Sequence, residues 1–170
     1  MDISVIKADQ TNSDYGIHIG NNKDKQMIEF INLRCPYSRD WFFASKDILN
    51  NAVEEGRLER IIKLTDKSKD SLQRGNVMHR FVTTDNPEQA LADIEKIFNS
   101  QEDWAYLSLP QVEDYAKNVL GLTEHNHKDY AKEIADEADK ANIKFVPTII
   151  LDENIFDESI EPDLLKSYVK

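Results

Sequence analysis

The chain has 170 residues, of which 40% are hydrophobic, and its 21 basic and 32 acidic residues leave a net charge of −11. That is enough apolar material for a core, and enough length for one domain or one domain with a sizeable insertion. The acidic balance argues against general affinity for nucleic acid or an anionic membrane surface, both of which require a basic face.

No apolar run approaches the ~20 residues of a membrane span. The opening "MDISVIKADQ" lacks the basic start and long apolar stretch of a secretory leader. The expectation is a cytosolic protein, in a compartment where thiols stay reduced. Its single cysteine has no partner for an internal disulfide.

In chain order, "ISVIKA" (3–8) alternates apolar and polar residues and predicts a short strand. "IHIGNNKDK" predicts a brief extended piece and a Gly-Asn turn. "MIEFINL" (27–33) is nearly all apolar, as suits a central strand covered on both faces. From Pro36 the period becomes helical, with Tyr37, Trp41, Ala44, Ile48, Ala52 and Val53 on one face and Gly56 as the stop. "LERIIKLTD" (58–66) predicts a second strand, so residues 27–65 form a βαβ unit.

Residues 67–142 are helical in pattern. "QRGNVMHRFVTT" (73–84) fits helix or strand and leans to helix. "PEQALADIEKIFNS" and "PQVEDYAKNVLGL" begin on Pro87 and Pro110, and "KDYAKEIADEADKAN" is expected to be capped by Thr123. "FVPTIILDENIF" (145–156) returns to strand character with a turn at Asp-Glu-Asn, and "EPDLLKSYV" closes with a helix through Pro162. This order describes an α/β protein with a helical insertion.

The only cysteine lies in "FINLRCPYSRDWF", where a strand gives way to a helix. A sulfur at a helix N-terminus meets unpaired N–H groups and the positive end of the helix dipole. Such positions lower a thiol pKa from ~8.5 to roughly 3.5–7.5. Pro36 has no N–H to leave unsatisfied at the first helical position. Arg34 and Arg39 flank the motif, and the Ser38 O–H is placed to donate to the sulfur. Each feature favours the thiolate, the nucleophile of disulfide exchange. The competing reading of Cys35 is a small buried hydrophobe.

These segments resemble the thioredoxin-fold proteins of the DsbA-like branch. "FINLRCPYSRDWF" is similar to that branch's strand, Cys-Pro-x-Cys and helix, with Ser38 at the second cysteine. "FVPTIIL" is similar to its Val-Pro strand, and Glu29, six residues before Cys35, stands where it carries a buried acid. The resemblance implies a thioredoxin-like fold formed by residues 1–66 and 143–170, with residues 67–142 as an inserted helical subdomain between the βαβ half and the C-terminal ββα half. It implies a cis Pro147 facing Cys35, where pattern alone favours an ordinary trans proline at a strand edge. It also gives the Val146 backbone, with Pro36 and Tyr37, a role in holding an extended partner.

With Ser38 in the resolving position, a dithiol–disulfide cycle cannot run within the chain. The expected activity is monothiol exchange through Cys35, Ser38 and Pro147, with a thiol- or disulfide-containing protein or a small thiol as partner. No resident cofactor or metal is expected, with glutathione or another low-molecular-weight thiol as a possible co-substrate. A redox-silent adaptor using the same groove and a glutathione-dependent isomerase or transferase are the alternatives. Glu29 is either a buried acid aiding proton transfer or a strand-edge residue facing solvent. His125 and His127 are expected in a solvated turn, short of a third metal ligand, and His79 as a packed or surface residue. Trp41, Phe42 and Phe43 are expected mainly in the core, one of them a candidate for lining a groove beside Cys35.

Overall fold

A computed structural model describes residues 1–170. Five strands form one sheet in the order β1-β3-β2-β4-β5, with β1 at Ile17–Ile19, β2 at Gln26–Ile31, β3 at Glu59–Leu64, β4 at Thr148–Leu151 and β5 at Asn154–Phe156. Strand β2 is central and pairs parallel with β3, while its other neighbour β4 runs antiparallel to it. Helix α1 (Pro36–Glu54) crosses from β2 to β3. Helices α2 (Gln73–His79), α3 (Pro87–Asn99), α4 (Gln101–Trp104), α5 (Leu109–Asn118) and α6 (Lys128–Lys140) lie between β3 and β4, and α7 (Pro162–Tyr168) follows β5. No helix is long and apolar enough to cross a membrane.

The period of two along each strand divides the sheet into two chemically distinct faces. Met27 and Ile31 of β2, Ile62 and Leu64 of β3 and Ile149 of β4 join Trp41, Phe42 and Leu49 of α1 in a core of 27 buried residues. Ile94 and Phe98 of α3, Trp104 of α4 and Val112 of α5 belong to that same core, so the helices between β3 and β4 share their apolar interior with α1. The opposite face carries only five buried apolar residues, Phe30 and Ile150 among them, beneath the C-terminal end of α6.

Charged residues are buried on both faces, and each has a partner. On the α1 face, Glu29 receives two hydrogen bonds from Arg60, both 2.8 Å, and a third of 2.8 Å from the Trp41 indole N–H. On the α6 face, Lys63 donates to Glu137 at 2.6 Å and to the Tyr15 carbonyl. Burial lowers the Lys63 ammonium from its ordinary pKa, and the adjacent Glu137 opposes that shift. At the sheet end, Glu59 accepts from Lys23 and Gln26, each at 2.7 Å. This pairing explains why "ERIIKL" is buried along its whole length although half of it is charged.

The βαβ unit, the terminal hairpin and the closing helix follow the sequence expectation, with four local differences. Residues 3–8 form no strand. Ile3–Val5 and Ala8–Gln10 are single helical turns, the first held by Asp2 accepting from Ser4 N–H and O–H. Lys7 N–H donates to the Ala141 carbonyl at 2.8 Å and Asn142 Nδ2 to the Val5 carbonyl at 3.0 Å, so the segment is tied to the end of α6 and not to a strand. Strand β2 ends at Ile31, because Asn32 turns its side chain into the following loop. The buried face of α1 comprises Ser38, Trp41, Phe42, Ser45, Leu49 and Ala52, so Tyr37 and Ala44 face outward. Helix α6 begins after His127, and Thr123 precedes it in irregular backbone.

Two substitutions test this packing. Helix propensity alone predicts that Gly75→Ala within α2 stabilises by about 1 kcal/mol. Yet a Cβ there would collide with Asn32 Oδ1 and lie 2.7 Å from the Arg34 nitrogen. The expected result in urea denaturation is a loss of about 1–3 kcal/mol, and a gain would contradict the packing. Glu29→Gln is expected to cost about 3–5 kcal/mol by leaving the Arg60 guanidinium buried without a counter-charge. The Glu29→Leu/Arg60→Met double variant is expected to be more stable than that single one. The reverse order would show that the pair is not an isolated buried charge couple.

Candidate active site

Cys35 is the N-cap of α1 and is 6% exposed. Its own N–H bonds the Asn32 carbonyl at 3.0 Å, and its carbonyl receives the Arg39 N–H at 3.2 Å, which starts the helix. Pro36 occupies the first turn, so the Tyr37 and Ser38 amides are left without a carbonyl one turn back. The Cys35 Sγ donates to the Val146 carbonyl at 3.3 Å. The Val146–Pro147 peptide bond is cis, as the resemblance implies. The Val146 N–H makes no hydrogen bond within the chain.

The strand-to-helix loop is held from several sides. Asn32 Nδ2 donates to the Thr65 carbonyl at 3.1 Å and to Asn76 Oδ1 at 3.2 Å, while its Oδ1 accepts from Arg34 N–H at 2.9 Å. Gln101 Nε2 donates to the Leu33 carbonyl at 2.9 Å and reaches the Cys35 carbonyl at 3.4 Å. Leu33 N–H donates to His79 Nε2 at 3.1 Å. Because a backbone amide can only donate, that ring nitrogen is unprotonated. The ring's Nδ1–H therefore donates to Asp66, 2.7 Å away. Helices α2 and α4 thus supply the fittings of the Cys35 loop. His79, Asn32 and Gln101 are site residues that sequence reasoning missed, because their spacing along the chain carries no motif.

Ser38 departs from expectation. Its side chain is fully buried, and its Oγ accepts from the Asn32 N–H at 3.2 Å with no hydrogen bond to the sulfur. It braces the loop from inside the helix. Glu29 is buried and not a solvent-facing edge residue, and its two oxygens accept from Arg60 and Trp41. Of the flanking arginines, Arg39 lies 4.0 Å from Glu102. Arg34 donates to the Ala105 carbonyl at 3.1 Å and stacks over Tyr106.

Cys35 lines a groove of about 440 Å³ together with Pro36, Tyr37 and Val146. Its aromatic walls are Tyr37 and Phe145, each 58% exposed. Trp41 and Phe42 are buried in the core, Phe43 packs against it, and none of the three lines this groove. His125 and His127 are packed more than expected. Their rings stack 5.4 Å apart, and His127 Nε2 donates to the Val82 carbonyl at 2.9 Å. No third ligand joins them in a group able to hold a metal.

Residues 12–170 match the family model described as Thioredoxin. A comparison with curated protein sequences finds no match. Among solved structures, a conserved protein of unknown function from Enterococcus faecalis V583 is 49% identical, with a TM-score of 0.97 over 99% of this chain and 97% of that one. The catalytic domain of Proteus mirabilis ScsC is 18% identical, with a TM-score of 0.67 over 96% and 92% of the two chains. Oxidised BdbD from Bacillus subtilis is 12% identical, with a TM-score of 0.62 over 91% and 92%. The family-model match over nearly the whole chain shows that this protein belongs to the thioredoxin family, and its fold, with the Cys-Pro helix start opposite a cis proline, is shared with ScsC and BdbD.

Proposed function

We propose that the protein is a monothiol exchange enzyme that acts through Cys35 in a reducing, cytosolic setting. The observation that carries this reading is the place of the sulfur. It stands at the N-cap of a 19-residue helix, 3.3 Å from the Val146 carbonyl before the cis proline, and on the wall of an open groove. Cysteine sulfur is the nucleophile of disulfide exchange, and this one is reached from the groove. Members of this fold exchange thiols and disulfides, and the chain keeps the nucleophile while lacking the second cysteine.

The cycle has two exchanges. The Cys35 thiolate attacks one sulfur of a disulfide in line with the S–S bond and forms a mixed disulfide. The other sulfur leaves with the bonding pair and takes a proton from water. An external thiolate then attacks the mixed disulfide, forms a new disulfide with the captured group, and releases Cys35 as thiolate. Val146 N–H, unpaired within the chain, is the donor positioned to hold an extended substrate across the sulfur. Loop geometry is maintained by Ser38, Asn32, His79 and Gln101. The partner is a thiol- or disulfide-bearing protein or small thiol, and no resident cofactor is required.

A second reading rests on the exposed rings of Tyr37 and Phe145, which flank the groove as an apolar protein contact would. It makes the chain an adaptor that binds without exchange. The discriminating experiment follows a model peptide carrying a mercaptoethanol cap on its cysteine, with excess free thiol for recycling. Wild type is expected to release more than one cap per chain and to show an adduct on Cys35 by intact mass. Cys35→Ala is expected to release none above background. Equal rates for the two proteins would overturn the enzyme reading and leave the adaptor.

A further inference from the structure

The groove beside Cys35 differs in charge from the protein around it. Arg34, Lys67, Lys69 and Lys144 all line it, and no acidic side chain does, in a chain whose net charge is −11. None of the four lies within 4.0 Å of a carboxylate, whereas Lys63 and Arg60 inside the fold are both ion-paired. Lys67 is the most constrained. Its backbone N–H donates to Asn76 Oδ1 at 2.9 Å and its carbonyl accepts from Asn76 Nδ2 at 2.7 Å. Its ammonium is half-buried, and its one hydrogen bond reaches the Ile143 carbonyl at 3.4 Å. Burial lowers this ammonium from its ordinary pKa, with Asp139 opposing. A partly desolvated cation without an ion-pair partner gains when an anion enters beside it.

Three separate stretches contribute these charges. Arg34 comes from the loop before α1, Lys67 and Lys69 from the segment after β3, and Lys144 from the segment before Pro147. They converge only in the fold. At about 440 Å³ the groove is the size of a site for a small molecule or a short peptide.

Resting on the exchange reading above, we infer that the thiol Cys35 exchanges with is a small carboxylate-bearing one, recognised by Arg34, Lys67, Lys69 and Lys144. Charge would then select the co-substrate. An anionic thiol or its disulfide is drawn through an otherwise repulsive field onto the one cationic groove that holds the nucleophile. The Val146 N–H and the Tyr37 and Phe145 rings supply the uncharged contacts.

The test compares stopped-flow rates of Cys35 with glutathione disulfide (anionic), 2-hydroxyethyl disulfide (neutral) and cystamine (cationic). Each rate is divided by the rate of the same disulfide with free mercaptoethanol. At low ionic strength the anionic probe is expected to exceed the neutral one on the order of tenfold, with the cationic probe slowest. At 1 M salt, where the Debye length is about 3 Å, the preference should largely vanish. The Lys67→Gln/Lys69→Gln/Lys144→Gln variant should lose it at low salt as well. Equal normalised rates, or a faster cationic probe as the net charge alone would dictate, overturns the inference.

A second measurement separates this inference from the exchange reading. Binding of S-methylglutathione, which cannot exchange, is measured by calorimetry on Cys35→Ala with and without the three lysine replacements. If no disulfide reacts with wild type, the exchange reading falls. Binding that the lysine replacements abolish would then still support the anion-selective groove, and no binding would overturn it.

Discussion

The strand-to-helix turn from Asn32 to Cys35 depends on outside partners for the polar groups that it cannot pair within itself. Asn32 reaches the carbonyl of Thr65 at the end of β3, His79 of α2 takes the Leu33 amide, and Gln101 of α4 takes the Leu33 carbonyl. A buried loop with those groups unpaired would lose roughly 1–3 kcal/mol for each one. The helices between β3 and β4 thereby fix the backbone that aims the sulfur. Close approach of α2 needs the absent side chain of Gly75, so the same constraint reaches from a glycine in one helix to the nucleophile of another.

Charge is organised around that turn in two ways. Inside the sheet, acidic and basic groups cancel in pairs, Glu29 with Arg60 and Lys63 with Glu137, and are spent on structure. At the groove the pairing stops, and four basic side chains are left without a carboxylate. Pairs of the first kind hold the fold in one arrangement. Unpaired cations of the second kind cost little when exposed, as Lys69 and Lys144 are, and they set the sign of whatever approaches Cys35.

Periodicity made most of the architecture readable. The near-continuous apolar run of β2, the Pro36 and Gly56 brackets of α1 and the Asp-Glu-Asn turn between β4 and β5 are local signals, and each lies where pattern placed it. Pattern failed where tertiary partners decide. Residues 3–8 alternate like a strand but find their backbone partners at the end of α6. The α1 stripe was displaced because Tyr37, an apolar residue in the first turn, faces the groove instead of the core. Cys35, Pro36 and Val146 could be found from two short motifs, whereas His79 lies 46 positions beyond its partner Leu33. The cluster of Lys67, Lys69 and Lys144 was invisible for a similar reason. In sequence those residues are ordinary members of two polar segments.

The most direct test of this account is the rate of iodoacetamide labelling at Cys35 across pH, for folded protein and for the same chain in denaturant. An exchange nucleophile at the N-terminus of α1 and open to the groove predicts that near neutral pH the folded protein labels faster than the unfolded chain, despite its small exposed area. A folded protein that resists labelling, or gains reactivity only in the pH range where the unfolded chain does, would contradict the account and leave Cys35 as a packing residue.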